Sequence, residues 1–236
     1  MCPPDQPSRF LAGVALRTIN YGGEAAFGIG DADWCGGAPG EGGEQTKYGT
    51  RPGDPDVFAP ITVWAYDECD LTEPSRDEVR TRVQQNLRLH EQIAVERTFA
   101  ARMLADAAAP QQVSNIVAAL GHLEAELAKT NTLGFIHLSP QMFTAAVSQR
   151  LLTRTGSAWR APLGHLVLAG GGYGYPDALG DTLVATSPTF GWRDAVAVRE
   201  TTGLPEINVF AAVAERRVLV AYERDIAAAR VVPVAP

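Results

Sequence analysis

The segment of this sequence nearest to a known chemical device is a glycine cluster behind an apolar run. Leu166-Val167-Leu168-Ala169 leads into Gly170-Gly171-Gly172-Tyr173-Gly174-Tyr175-Pro176. A glycine turn after a strand cradles phosphate when it opens a helix, because the helix N-terminus then faces the anion. Here Pro176-Asp177 and a second turn at Gly180-Asp181 follow, and Tyr175 stands where the last glycine of G-x-G-x-x-G belongs. No helix is predicted after the cluster, and the expectation is a mobile loop between strands.

The four histidines, His90, His122, His137 and His165, fall on separate predicted elements. His90-Glu91 opens like the zinc motif H-E-x-x-H, but Ala94 occupies the second ligand position. A solvated helix face accounts better for that pair. There is no G-x-S-x-G elbow, Walker A loop or EF-hand loop. Asp67-Glu68 and Asp77-Glu78 are adjacent in sequence and give no separated acid and base. The sequence therefore assigns no catalytic, cofactor-binding or metal-binding residue, and the expectation is a protein that is not an enzyme.

The totals point the same way. A net charge of -7 argues against a large nucleic-acid footprint, which needs excess Lys and Arg. Three cysteines, Cys2, Cys35 and Cys69, form no C-x-x-C pair, so reduced thiols are expected rather than a disulfide framework. No signal-peptide core and no run near the ~18 apolar residues of a membrane span is present. A soluble protein made inside a cell is expected.

The elements that would carry these residues form a loose front and a compact back. Between Tyr21 and Asp56 eleven of thirty-six residues are glycine, too many for a helix and too few apolar residues for a core. A strand is predicted at Phe58–Tyr66 from its β-branched and aromatic residues. Ser75-Arg76-Asp77-Glu78 reads as a capping box opening a helix that runs without Gly or Pro to about Ala108. Its apolar stripe takes in Val79, Val83, Leu87, Leu89, Ile93, Val95, Phe99 and Met103, and six Arg and five acidic residues fill the other faces. Pro110 is expected to open a second helix whose apolar face is Val113, Ile116, Val117, Leu120, Leu123 and Leu127. Leu133–Leu138 reads as a buried strand. Ser139-Pro140 caps a third helix with Phe143, Ala146, Val147 and Leu151 inward, Arg150 and Arg154 near its end and Gly156 as its stop. Strands are predicted at His165–Ala169, Thr182–Thr186, Ala195–Arg199, Ile207–Val213, Arg217–Tyr222 and Arg230–Val234. The class is α+β, without internal repeats.

This order of elements resembles the Hong Kong 97-type major capsid proteins of tailed bacteriophages: Gly-rich arm and loop, strand, one very long helix, helix-strand unit, then strands. Three blocks look similar to head proteins of actinobacterial siphophages. They are Arg51-Pro52-Gly53-Asp54-Pro55-Asp56-Val57-Phe58-Ala59-Pro60-Ile61-Thr62-Val63-Trp64-Ala65 with Glu68-Cys69, then Leu163–Gly174 followed by Thr182–Thr186, then Val213–Arg216 with Val218–Tyr222. The resemblance implies an N-terminal arm and extended loop at 1–56, a peripheral-domain strand and spine helix at 57–109, an axial domain at 110–195 and strands returning to the peripheral domain at 196–236.

It further implies a structural protein without cofactor or metal, many copies of which form hexamers and pentamers of an icosahedral head around double-stranded DNA, held without sequence-specific binding. The head would be assembled in the host bacterial cytoplasm and end as the virion capsid. With Met1 just ahead of the arm, scaffolding is expected from a separate protein, alongside possible portal and cement partners. Trp34, Lys47, Tyr48 and Phe58 are the expected inter-subunit contacts. Some members of the family join neighbours through a loop Lys and an Asn of another chain, for which Lys47 and Asn208 are the pair here. Two other readings stand beside this one. One is an encapsulin-like nanocompartment shell with protein cargo; the other is a small α+β enzyme binding a phosphorylated ligand through its glycines.

Overall fold

The computed structural model describes residues 11–18, 49, 57–130, 132–202 and 207–232. The segment Arg17–Val57 separates as a unit of its own, and Met1–Leu16 groups with Phe58–Pro236. All that follows concerns the second unit.

Its spine is α1, Glu73–Asp106, whose 34 residues span about 51 Å at ~1.5 Å per residue. The helix starts two residues before the expected capping box. Thr72 is the N-cap and Pro74 lies in the first turn. Asp70 fixes the entry, its Oδ1 accepting from the Thr72 amide at 2.9 Å and from the Thr72 hydroxyl. Ser75 is already helical, so Ser75–Glu78 does not act as the box. Val79, Val83, Leu87, Phe99, Ala100 and Met103 are buried, whereas Leu89, expected in the stripe, is exposed.

Pro110 opens no helix. The chain first makes a short strand, β2 at Gln111–Val113, then turns into α2 at Ile116–Ala128. Asn115 supplies the cap, its side chain accepting from the Ala118 amide at 2.9 Å. Val117, expected inward, faces solvent, and Ala119 takes its place in the core. β3 (Phe135–Leu138) and α3 (Pro140–Ser148) follow, with the Ser139 cap as expected. The end of α3 differs from expectation. Gln149 closes it, Arg150 takes φ 56°, and Gly156 (φ 63°) instead turns the hairpin of β4 (Thr153–Thr155) and β5 (Ala158–Arg160). Arg150 and Arg154 therefore lie beyond the helix.

The remaining strands are β6 (Leu166–Ala169), β7 (Thr182–Thr186), β8 (Thr189–Arg193), β9 (Ala197–Thr202), β10 (Phe210–Tyr222) and β11 (Asp225–Val231), with β1 (Ile61–Cys69) ahead of the spine. They form two sheets. The larger has the order β2-β11-β7-β3-β6-β5-β4, and the smaller has β1-β10-β8 with β9 also on β10. β3 and β6 are parallel, which requires the crossover that α3 and the β4–β5 hairpin provide. β8 and β9 lie on one flank of β10. Between them Asp194, Ala195 and Val196 oppose only Arg216 and Arg217, a bulge. Asp194 is buried there and its Oδ1 accepts from the Leu11 amide at 3.2 Å.

A boundary at 195/196 is crossed both ways: β8 belongs to the smaller sheet and β11 returns to the larger one. The two crossings are β7 to β8 through Ser187 and Pro188, and β10 to β11 through Glu223 and Arg224. They are tied together. The Ser187 amide donates to the Arg224 carbonyl (2.9 Å), and the Ser187 hydroxyl accepts from the amides of Glu223 (3.0 Å) and Arg224 (3.1 Å).

Among the described residues packing forms three buried clusters. One joins α2 and α3 to the larger sheet around Leu123, Leu127, Ile136, Leu138 and Leu183. The second joins the end of α1 to both sheets around Phe99, Met103, Tyr173, Leu219 and Tyr222. The third seats the start of α1 on the smaller sheet through Val63, Val79, Val83, Ala212, Ala214 and Val218.

Candidate functional site

The glycine cluster is an ordered single turn of 3-10 helix, Gly171–Gly174, rather than a mobile loop. It does cradle an anion, and that anion is Glu96 of the spine helix. The Gly172 amide donates to Glu96 Oε2 at 2.7 Å, and Gln92 donates to Oε1 at 2.8 Å. A Cβ on Gly170 would fall 2.5 Å from the Glu96 carboxyl carbon, and one on Gly172 would fall 2.5 Å from the Ile93 carbonyl oxygen. Only glycine lets the turn sit this close. Arg97 closes the other side, its guanidinium 4.4 Å from the Tyr175 ring centre and paired with Asp177, whose carboxyl it holds below the usual range. The turn is thus a strap on α1, and its anion site is filled from within.

The histidines do not converge. His137 is buried on β3. The Thr186 hydroxyl donates to the Ser187 carbonyl (2.8 Å), so its oxygen is left to accept from His137 Nε2 at 3.0 Å. His137 Nδ1 then accepts from the Tyr173 hydroxyl at 3.2 Å. Phe99 and Phe135 stand edge-on to the ring. Burial pulls the His137 pKa down to about 3 and, with the nearby Glu96 charge second, pushes that of Tyr173 up. A neutral imidazole with both nitrogens engaged is a structural group rather than a proton shuttle. His165 accepts from the Gly134 amide through Nδ1 at 3.2 Å. His90 and His122 lie on the surfaces of α1 and α2. Among the described residues no group of three or more His, Cys, Asp or Glu could hold a metal ion, and no helix is long and apolar enough to cross a membrane.

Two shallow grooves flank α1. One, about 490 Å³, is lined by Arg80, Gln84, Arg88, Val196 and Arg216 among others. Its charges are largely engaged internally: Arg80 binds Asp77 and Glu200, and Arg216 forms a two-pronged pair with Glu91. The other, about 520 Å³, runs between β1 and α1 past Trp64, Tyr66, Asn86 and His90. Thr62, Glu91 and Thr98 also line it, but Glu91 is held by Arg216, and among the described residues no hydrogen bond joins His90 to a carboxylate or a hydroxyl.

What the surface does offer is an open sheet face. Residues opposite one another in a ladder share a face. Trp64 lies opposite Glu215, Tyr66 opposite Val213 and Trp192 opposite Leu219, so these aromatics share the face turned away from the start of α1. Trp64 is 65% exposed, Tyr66 47% and Trp192 44%. Trp, Tyr and Arg dominate the energetics of protein interfaces. This face carries both tryptophans and the tyrosine next to Arg199 and Arg217.

No family profile and no curated protein matches the sequence. Solved structures do match. The chain is similar to the holo-SrpI encapsulin complex from Synechococcus elongatus PCC 7942, with a TM-score of 0.53 and 12% identity over 78% of each chain. It is also similar to the mature capsid of bacteriophage PhiM1, with a TM-score of 0.51 and 12% identity over 98% of this chain and 83% of that one. This is the Hong Kong 97-type fold. The α+β class and the long spine helix expected from the resemblance are what the structure has.

Within the Hong Kong 97-type fold, the contact residues expected from sequence fare differently. Phe58 was expected as an exposed contact but is only 5% exposed. It stacks edge-on with Tyr222 and lies under the Arg102 guanidinium, leaving no apolar surface for a neighbour. Trp34, Lys47 and Tyr48 lie outside the described residues. Asn208 stands in an exposed turn before β10 rather than in a strand, at φ 50°, with its Oδ1 accepting from the Leu71 amide at 3.4 Å. The open face went unread because Trp64 and Trp192 are 128 positions apart. The alternation of Thr62, Trp64, Tyr66 and Glu68 was its one legible signal.

Proposed function

We propose that this chain is a structural shell subunit: the major capsid protein of a tailed phage, assembling as hexamers and pentamers into an icosahedral head around double-stranded DNA. One observation carries the reading. A Hong Kong 97-type fold offers no assembled catalytic site among its described residues, yet leaves an aromatic sheet face open to water. Such a face favours burial against protein. The net charge of -7 agrees with a container that does not bind its DNA tightly. Scaffolding, portal and cement proteins belong to this reading as separate chains, as does a virion location after assembly in the bacterial cytoplasm.

A second reading, an encapsulin-like compartment around protein cargo, is favoured by the TM-score of 0.53 to the SrpI encapsulin. The PhiM1 capsid similarity extends over 98% of this chain against 78% for the encapsulin, and supports the phage reading. Negative-stain microscopy of the expressed chain tests both. Closed shells, tubes or capsomer rings are expected, and shells from an infected host should protect DNA from nuclease. Shells protecting a co-purifying enzyme instead would support the compartment. A persistent monomer that binds a phosphorylated ligand at saturable levels would reject both. Lys47 and Asn208 are the pair for an isopeptide bond between neighbours, in which the Lys47 amine would attack the Asn208 carboxamide carbon and the carboxamide nitrogen would leave as ammonia. Mature particles should then give a ladder on a denaturing gel, and a single monomer band would rule the bond out.

A further inference from the structure

We propose that β1 is a self-complementary edge, which pairs antiparallel with β1 of a second copy about a two-fold axis at Ala65. The inference rests on the self-assembly reading and names one contact within it.

β1 is the terminal strand of the smaller sheet, and among the described residues its backbone ladder is with β10 alone. That ladder runs through nine consecutive pairs, Ile61 to Cys69, without a register shift. Among the described residues the outer edge is therefore regular and unpaired, and it borders the groove along α1. Folded proteins blunt such edges with Lys, Pro, bulges or a covering element, because a regular free edge templates open-ended aggregation. Ile61–Cys69 contains no Lys, Pro or Gly, and its outward side chains include Trp64 and Tyr66. Asp67, paired with Arg82 of α1, and Glu68 charge only its C-terminal end, so the largely apolar stretch Ile61–Tyr66 is left to a partner that closes it. An isologous pair does so, because each copy consumes the other's edge and nothing remains to propagate.

Charge and side-chain pattern select the second copy and the direction. Both acids of the strand, Asp67 and Glu68, sit at its C-terminal end. Parallel pairing in register would set Asp67 beside the partner's Asp67 and Glu68 beside the partner's Glu68. Antiparallel pairing about Ala65 separates the two Asp67 residues by four positions, ~14 Å along the strand, which is beyond the ~8 Å screening length of physiological salt. In that register Trp64 lies opposite the partner's Tyr66, Thr62 opposite the partner's Glu68 and Val63 opposite the partner's Asp67. The aromatic pairs occur twice, on the open face, and cross-strand aromatic pairs are among the stabilising ones. Pairing so joins the two open faces into one continuous surface. A nine-residue seam is smaller than a standard interface of ~1,200–2,000 Å², so it acts as one contact among several.

The test is a disulfide across the seam in the full chain, with C2S, C35S and C69S removing the native thiols. Thr62→Cys and Glu68→Cys alter exposed side chains and lie six residues apart on one strand, too far to bond within a chain. Assembled or concentrated protein is oxidised mildly and run on a non-reducing gel, with microscopy on the same sample. Expected is a disulfide-linked dimer in the double variant, and in a mixed assembly of the two single variants, but not in either single variant alone. Particles without that dimer would overturn the β1 pairing and leave the shell reading intact. Dimers formed equally by the single variants would mark random collision and also overturn it. Protein that neither cross-links nor assembles would overturn both.

Discussion

In the larger sheet, β7 is buried at all five residues, Thr182 to Thr186, with β3 on one side and β11 on the other. In the smaller sheet, β1 alternates between more covered and more open positions from Ile61 to Glu68 and, among the described residues, has a strand neighbour on one side only. The centre of the first sheet is buried inside the chain by α2 and α3, although its end strands β2 and β4 are largely exposed. Among the described residues the second leaves an aromatic face and the β1 edge open. Substitutions at the centre of the first should therefore be felt by the folded subunit, and those on the open face of the second only when copies meet, while its other face is packed on α1.

Acid gives the largest contrast. His137, buried beside β7, has a pKa held near 3 against an ordinary 6.5, while His90 lies exposed near β1. The unfolded chain takes up a proton near pH 6.5 that the folded chain refuses until about pH 3. Stability from this group is thus full above pH 6.5 and is lost as pH falls toward 3. At ~1.36 kcal/mol per pH unit the loss is on the order of 4–5 kcal/mol. Urea unfolding of the unassembled chain across that range should show the slope. His137→Gln should flatten it and His90→Gln should not. Equal slopes in all three proteins would break the contrast.

Next come the apolar positions. Leu183→Ala, at a fully buried site on β7, should cost about 2–5 kcal/mol in the same assay. Trp64→Ala on β1 should stay within about 0.5 kcal/mol, although it removes a larger side chain. A comparable loss at Trp64 would mean that the open face is covered within the chain. The smallest effect tests the strap. Glu96→Gln weakens the charge-assisted bond from the Gly172 amide and should cost about 1–2 kcal/mol. Hydrogen exchange should rise at Gly170–Gly174 and leave β1 unchanged.

The middle of the larger sheet, β7, β3 and β6, was legible because local signals and burial agree there, whereas β11 starts five residues before the predicted Arg230. Thr182–Thr186 has the predicted bounds, and the Ser139-Pro140 cap is where its residue types demand. Reading failed where a distant partner reverses a local signal. Ala214-Glu215-Arg216 reads as a turn between two strands, yet β10 runs straight through it, because Glu91 neutralises Arg216 and Arg199 neutralises Glu215. Phe58 borders a glycine-rich stretch and looked exposed, but Tyr222 and Arg102 bury it. The glycine cluster reads in sequence as a mobile loop, because the anion it cradles, Glu96, lies 76 positions before Gly172 and carries no mark in the sequence. The short strands β2, β4, β5 and β8 are defined by pairing more than by propensity, and none was foreseen.

The paired crossings at Ser187 and Arg224 have a mechanical meaning. A single connector between two sheets would act as a swivel. Two connectors of two residues each, stitched together by one hydroxyl and one amide, resist twisting as a double strap does. Stress applied to the open edge of β1 travels through β10 into this junction and on into β7 and β11. The junction is therefore stiffer against rotation than a single connector would be.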